Sequence, residues 1–279
     1  MTKIEWADMT INPVVGCTKC SDGCRSCYAE RFAARMVRHP NPKISGKYAD
    51  VVDEHGKWTG KTNITDHMDF SKLYGMRKSK RIFVGSMTDL FHASVSIETL
   101  RDIFSSMSLC SQHTFMLLTK RPERMADFLR EYFPTPLPNV WLGVTVCNHD
   151  ELWKLDTLRE IPAALRYVSF EPLLSGLGKV NLEGIGWVIC GGETGPGARP
   201  MHPDWVRGLR DQCQSARVPF FFKSWGEWAP NCLCGAKRPH PIIQRPTPGH
   251  VGCMFKCGKR RAGRLLDGRE WNEVPEVKA

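Results

Sequence analysis

Four cysteines crowd positions 17, 20, 24 and 27 in the stretch VGCTKCSDGCRSCYAERFAARM. Thiolates are soft ligands, and clustered cysteines in a reducing compartment more often bind metal than pair as disulfides. Cys20, Cys24 and Cys27 have the spacing C-x3-C-x2-C. Three thiolates on one loop can hold three irons of a 4Fe–4S cluster and leave the fourth iron open to a small molecule. Four thiols could instead close a zinc tetrahedron, though ligands this near in sequence would crowd it. The plainest alternative is four thiols with no metal at all.

A second group, Cys232, Cys234, Cys253 and Cys257, brackets a Pro- and Arg-rich loop. That loop has few apolar residues to order it, so a metal staple, zinc or a second iron–sulfur cluster, is physically reasonable. His240 and His250 could substitute as ligands. Cys110, Cys147, Cys190 and Cys213 sit among apolar neighbours and read as small core residues.

These groups need a scaffold. From Arg81 onward, continuous apolar runs alternate with amphipathic helical patterns: RIFVG, HTFMLLT, NVWLGVTV, LRYVSF, IGWVICGG and VPFFFKS, with helices between. With a strand just before Cys17 the count is about seven. Such alternation predicts an α/β fold with a parallel sheet, a (β/α) barrel or partial barrel in preference to an open doubly wound sheet. The expected organisation is a barrel-like domain over residues 1–229, with a loosely structured insertion at 40–80. A Cys-rich basic C-terminal extension over 230–279 packs on it.

Each apolar run ends in polar residues or glycine. These are Asp89, Lys120 with Arg121, Thr145, Glu171, the Gly191-Gly192-Glu193 segment, and Lys223. In a parallel sheet these ends share one edge, where such folds place their sites. Glu171, Glu193 and Lys223 are the candidate catalytic groups, suited to proton transfer or to holding hydroxyls. Asp89, Thr145, Gly191, Gly192 and Glu193 are the candidate cofactor contacts, since glycines let a backbone approach a ligand closely. For any one of these residues alone, a solvated loop is the plainer reading; the repetition over six strands favours a shared site.

The chain has 279 residues and a formal net charge of +10, an excess that favours polyanionic partners. Lys120, Arg121, Arg199, Trp225, Lys259, Arg260 and Arg261 are the candidate nucleic-acid contacts, basic groups interleaved with an aromatic. After Cys27 the helical pattern places Ala29, Phe32, Ala33 and Met36 on an apolar face and turns Arg31, Arg35 and Arg38 elsewhere. No apolar run approaches a membrane span, and the N-terminus MTKIEWADMT lacks the apolar core of a signal peptide, so a cytoplasmic protein is expected.

The segments IEWADMTINPVVGCTKCSDGCRSCYAE, FVGSMTDLFH, LLTKRPERM, LGVTV, SFEPLL, GGETGPGARPMHPDWVRGLRDQC, VPFFFKSWGEW and GRLLDGREWNEVP run through nearly the whole chain. Together they resemble the phage-borne and bacterial three-Cys-motif family of unknown function, itself similar to radical S-adenosylmethionine enzymes. The resemblance implies a radical-SAM-like barrel, a 4Fe–4S cluster and S-adenosylmethionine as cofactors. It does not supply a reaction; joined to the basic charge, it gives as the leading expectation reductive cleavage of that cofactor and hydrogen abstraction from a nucleic-acid base or nucleotide, in modification or repair. It also implies a reductant for the cluster and a genetically linked three-Cys-motif partner protein. The family spacing C-x6-C-x2-C selects Cys17, Cys24 and Cys27, whereas the general radical-enzyme spacing selects Cys20, Cys24 and Cys27. The rivals are a non-catalytic, metal-stabilised nucleic-acid-binding protein and a zinc-dependent hydrolase using Glu171 or Glu193 as base.

Overall fold

The computed structural model describes residues 4–68, 70–230 and 254–276. In chain order the elements are β1 (Met9–Ile11), β2 (Val14–Val15), α1 (Tyr28–Met36), α2 (Pro42–Ser45), β3 (Asn63–Ile64), α3 (Ser71–Tyr74), β4 (Arg81–Val84), α4 (Ile97–Leu109) and β5 (Thr114–Thr119). There follow α5 (Pro122–Tyr132), β6 (Val140–Thr145), α6 (Trp153–Glu160), β7 (Leu165–Phe170), β8 (Trp187–Gly191), α7 (Pro203–Ser215), β9 (Phe220–Ser224), β10 (Trp228–Pro230), β11 (Met254–Lys256) and α8 (Lys259–Ala262).

Seven strands form the main sheet in the order β1-β4-β5-β6-β7-β8-β9. The registers of β1 with β4, β4 with β5, β5 with β6, β7 with β8 and β8 with β9 are all parallel. The order advances without reversal and leaves β1 and β9 as edges, so among the described strands there is no switch point of a doubly wound sheet. This is the winding of a partial barrel. One expectation shifts: β2, the strand just before Cys17, pairs antiparallel with β3 in a separate two-stranded sheet. The first main-sheet strand is instead Met9–Ile11.

The chain divides into two compact units, residues 1–144 with 156–166, and residues 145–155 with 167–279. In the first unit Ile82, Leu100, Ile103, Phe104, Phe115, Met116 and Phe128 are buried, and Phe104 meets Phe128 edge-on at 5.2 Å. The β-rich runs are buried on both faces, which is why they read as continuous apolar segments. Helix α4 starts where Ser96 accepts the Thr99 N–H at 3.1 Å, a side-chain cap. Pro122 and Pro203 occupy the first positions of α5 and α7, where a missing N–H costs nothing.

The 40–80 segment has little regular structure, yet Tyr48, Val51, Val52, Phe70 and Leu73 are buried. In the second unit Tyr167, Trp187, Phe220 and Phe222 fill the core. The described part of the C-terminal extension straps this unit. β11 pairs antiparallel with β10, Phe222 N–H donates to Trp271 O at 2.9 Å, and the Glu273 carboxylate accepts the Phe220 N–H at 2.9 Å. Among the described residues no helix is long and apolar enough to cross a membrane.

Candidate functional site

The cysteine loop leaves β2 at Gly16. A Cβ there would lie 2.2 Å from the Lys61 carbonyl, and φ is +103°, so only glycine admits the 40–80 segment this close to Cys17. The loop carries a 3-10 turn, Asp22–Cys24, and Cys27 immediately precedes α1. Its near end is fastened to the segment after β4: Gly16 N–H donates to Met87 O at 3.1 Å and Thr88 Oγ1 to Gly16 O at 2.6 Å.

A second fastening comes from the turn between β5 and α5. Arg121 Nη2 donates to Thr18 O at 3.1 Å and to Thr18 Oγ1 at 2.9 Å. Its Nη1 donates to Asp89 Oδ2 at 2.9 Å and lies 3.9 Å from Cys17 Sγ. Asp89 is buried, and four donors surround it. Oδ1 accepts from Phe91 N–H and Thr119 Oγ1, at 3.1 and 2.7 Å. Oδ2 accepts from Lys120 N–H and Arg121. A carboxylate offers about four acceptor positions, and all four are used. Asp89, a candidate cofactor contact, orients Arg121 here. Arg121, expected at phosphates, spends its guanidinium on the loop.

His92 completes this network. Ser94 N–H donates to Nδ1 at 3.2 Å, which puts the proton on Nε2, and Nε2 donates to Thr18 Oγ1 at 2.9 Å. Burial, followed by the Arg121 charge, holds the imidazole below its usual range, in keeping with a neutral ring. His92, Thr18 and Thr119 carry no motif of their own; their one sequence signal is a place beside Asp89, Cys17 and Lys120.

The thiols differ in character. A hydrogen bond from Cys20 holds Cys24 down to about 4, with the Lys120 charge adding to it, and the same bond pushes Cys20 up. This lowering favours the thiolate at Cys24, the form that ligates metal. Burial raises Cys17. Cys27 packs on the apolar cluster of Val15, Ala29, Ala33, Tyr48, Val51, Val52 and Met87. Among the described residues no three His, Cys, Asp or Glu side chains stand as a ready-made metal shell. The donor chemistry of the loop nevertheless suits a soft, thiolate-ligated group. Of the second cysteine group, Cys257 is half-buried, while Cys232, Cys234 and Cys253 lie outside the described residues, as do His240 and His250.

In the second unit Lys223 Nζ donates to Glu171 Oε1, joining the ends of β9 and β7. Their side chains are 19% and 21% exposed, so the pair is reachable. Gly191 ends β8 between them. A Cβ there would come within 3.4 Å of Lys223 Cβ and 3.5 Å of the Glu171 carboxyl carbon, so glycine leaves the space between them unfilled. Gly192 has another task. Its Cβ would lie 2.1 Å from the Trp225 carbonyl, and that of Gly226 2.2 Å from Glu193 O, so two backbones cross here at glycines.

Glu193 is buried and engaged by its own loop, accepting from Arg199 N–H at 2.7 Å, Nε at 2.9 Å and Nη2 at 2.6 Å. Glu193 and Arg199, expected as base and phosphate contact, clamp the GGETGPGAR loop. Thr145 is 2% exposed and its carbonyl accepts from Lys154 at 3.4 Å. Trp225 requires a correction. It is 2% exposed, stacks edge-on with Phe222 at 5.1 Å and donates its indole N–H to Leu265 O at 2.9 Å. No base can lie on it. Lys259, Arg260 and Arg261 are exposed on α8.

A family model described as "Protein of unknown function (DUF5131)" matches residues 1–275, so the chain belongs to that family. No curated protein and no solved structure matches it.

Proposed function

We propose that this DUF5131 protein is an iron–sulfur enzyme of the radical S-adenosylmethionine type that acts on a nucleic-acid base or nucleotide. One observation carries the reading: the four-thiol loop is locked, through Thr18, Arg121 and Asp89, onto the ends of parallel strands. A loop bound only to solvent needs no buried guanidinium to hold it. Cys24, with Cys27 and one of Cys17 and Cys20, would hold the cluster. When bound, that group supplies the electron that splits S-adenosylmethionine and so starts hydrogen abstraction.

The chain's own residues do the rest. Lys120 and Arg121 place positive charge beside the thiolates and favour their ionised form. The Asp89 contacts keep Arg121 from swinging out to solvent. The Glu171–Lys223 pair, reachable and next to Gly191, is fitted to bind a hydroxyl or to move a proton between a carboxylate and an amine. The basic surface attracts a polyanion.

Anaerobic reconstitution with iron and sulfide tests this, followed by reduction in the presence of S-adenosylmethionine. The expected result is stoichiometric iron and sulfide, lost in Cys24→Ala, with cleavage of the cofactor only by the loaded protein. Zinc in place of iron, with no cleavage, would overturn it and move the chain towards the metal-stabilised binding protein.

A further inference from the structure

Burial of Trp225 leaves the substrate without the stacking surface expected for it, and helix α1 supplies another. Tyr28 is 53% exposed and Phe32 36% exposed, and both are large apolar rings on a helix that begins directly after Cys27. Positions 28, 31, 32 and 35 fall on one side of a helix with 3.6 residues per turn. The opposite side is buried: Ala29, Glu30 and Ala33 face the interior. The exposed residues on that side are Tyr28, Phe32 and Arg35, with Arg31 half-buried between them.

Each ring is braced. Tyr28 Oη donates to Ser86 O at 2.6 Å, and Phe32 meets Tyr48 edge-on at 6.2 Å. The Arg35 guanidinium stands over the Phe32 ring, 5.1 Å from its centroid. Guanidinium planes and aromatic faces both stack on nucleobases. Four residues of helix rise about 6 Å, more than the roughly 3.4 Å between stacked bases, so each ring suits a base of its own. The charge on this stripe is all positive. From Tyr28 to Arg38 the only acid is Glu30, which is buried and paired with Lys19 at 3.1 Å and Lys57 at 3.6 Å. The formal charge of +10 also disfavours a second copy of the chain as the occupant.

We propose that the Tyr28–Phe32–Arg35 face of α1 is a binding surface for single-stranded nucleic acid, with unstacked bases on the two rings and a phosphate on Arg35. This rests on the nucleic-acid part of the function proposed above and not on the cluster.

The test is fluorescence anisotropy of a labelled 12-nucleotide oligo-dT, oligo-U or matched duplex with the full chain, with iron content measured alongside. Tyr28→Ala and Phe32→Ala should each weaken single-strand binding roughly 5- to 150-fold. Tyr28→Phe, which keeps the ring, should bind like wild type. Arg35→Gln should lower the slope of log affinity against log salt by about 0.7. Melting temperature and iron content should not move. Wild-type affinity in Tyr28→Ala/Phe32→Ala would overturn this inference alone. So would duplex binding that shows the same losses, or poly-Glu competition lost in the same variants, which would make the surface a protein-docking site. No binding of any strand by wild type at low salt would overturn this inference and the nucleic-acid reading together, whatever the iron content.

Discussion

Arg121→Met separates a structural anchor from a surface cation. The substitution keeps an unbranched apolar stem and removes the hydrogen bonds to Asp89, Thr18 O and Thr18 Oγ1. Hydrogen bonds to charged groups contribute about 1.5–3 kcal/mol each. They are not additive here, because Asp89 keeps three donors, from Phe91, Thr119 and Lys120. Stripping one partner from a buried ion pair costs about 3–5 kcal/mol. Arg121 is 18% exposed and Asp89 9% by side chain, so solvent repairs little of the loss. A cost of about 3 kcal/mol is the consistent value, and it falls on the loop, since α5 and β5 keep their own hydrogen bonds. Amide exchange of the 16–20 segment should then quicken by roughly two decades, at about 1.4 kcal/mol per tenfold. Cys17 should become correspondingly easier to alkylate. Arg121→Lys should fall between, because an ammonium can pair with Asp89 but cannot span to both Thr18 oxygens. Unchanged exchange and unchanged Cys17 alkylation in Arg121→Met would refute the anchoring argument.

Three more expectations follow from the second unit. Gly192→Ala should destabilise by about 3 kcal/mol or more, because its Cβ would lie 2.1 Å from the Trp225 carbonyl; a wild-type melting curve would contradict the backbone crossing. Trp225→Phe should cost about 1–2 kcal/mol through the lost bond to Leu265 and leave oligonucleotide affinity untouched; a loss of affinity at constant stability would restore its stacking role. Asp267 is held below its usual range by hydrogen bonds from Arg207 and Arg210, so the stability it adds is present above pH 4 and is lost as pH falls through its lowered folded value. Asp267→Asn should thus lose no more than about 1 kcal/mol at pH 7, and less as pH falls, as urea unfolding would read, because the carboxylate is partly exposed and screened.

The strands were legible because they are buried on both faces and their apolar runs are unbroken, and the helices between them because their periodicity is clean. The edge assignments followed, and Glu171, Gly191 and Lys223 do meet. What sequence could not supply is which polar groups satisfy each other. Asp89 and Arg121 looked like two ligands for something outside, as did Glu193 and Arg199, and both pairs close internally. A buried charge draws its partner from whatever the fold brings near, and neither pair is marked by spacing. Phe32 shows the converse. At helical spacing it joins Ala29, Ala33 and Met36, yet it sits at the rim of that face and stays 36% exposed. Periodicity gives the side of a helix and not how far the neighbouring segment reaches over it. Trp225 failed for the same reason in reverse, since the covering segment, 263–272, is distant in sequence.

The charges around the thiol loop suggest why the TKRP turn stands where it does. Among the groups just described, Cys24 thiolate and Asp89 carry negative charge, and Lys120 and Arg121 carry positive charge. The four nearly cancel while Cys17 and Cys20 keep their protons. Metal binding requires deprotonated thiols, so loading the loop adds negative charge to a half-buried site. Unpaired, that charge would be costly in a region of low dielectric. An incoming iron–sulfur group brings its own positive charge, and the two cations of the turn are already in place to offset what remains. The guanidinium that anchors the loop through Thr18 also lies 3.9 Å from Cys17 Sγ, so one side chain both holds the loop and offsets charge at that thiol when it ionises. On the iron–sulfur reading proposed above, that offset would matter whenever Cys17 is the third ligand.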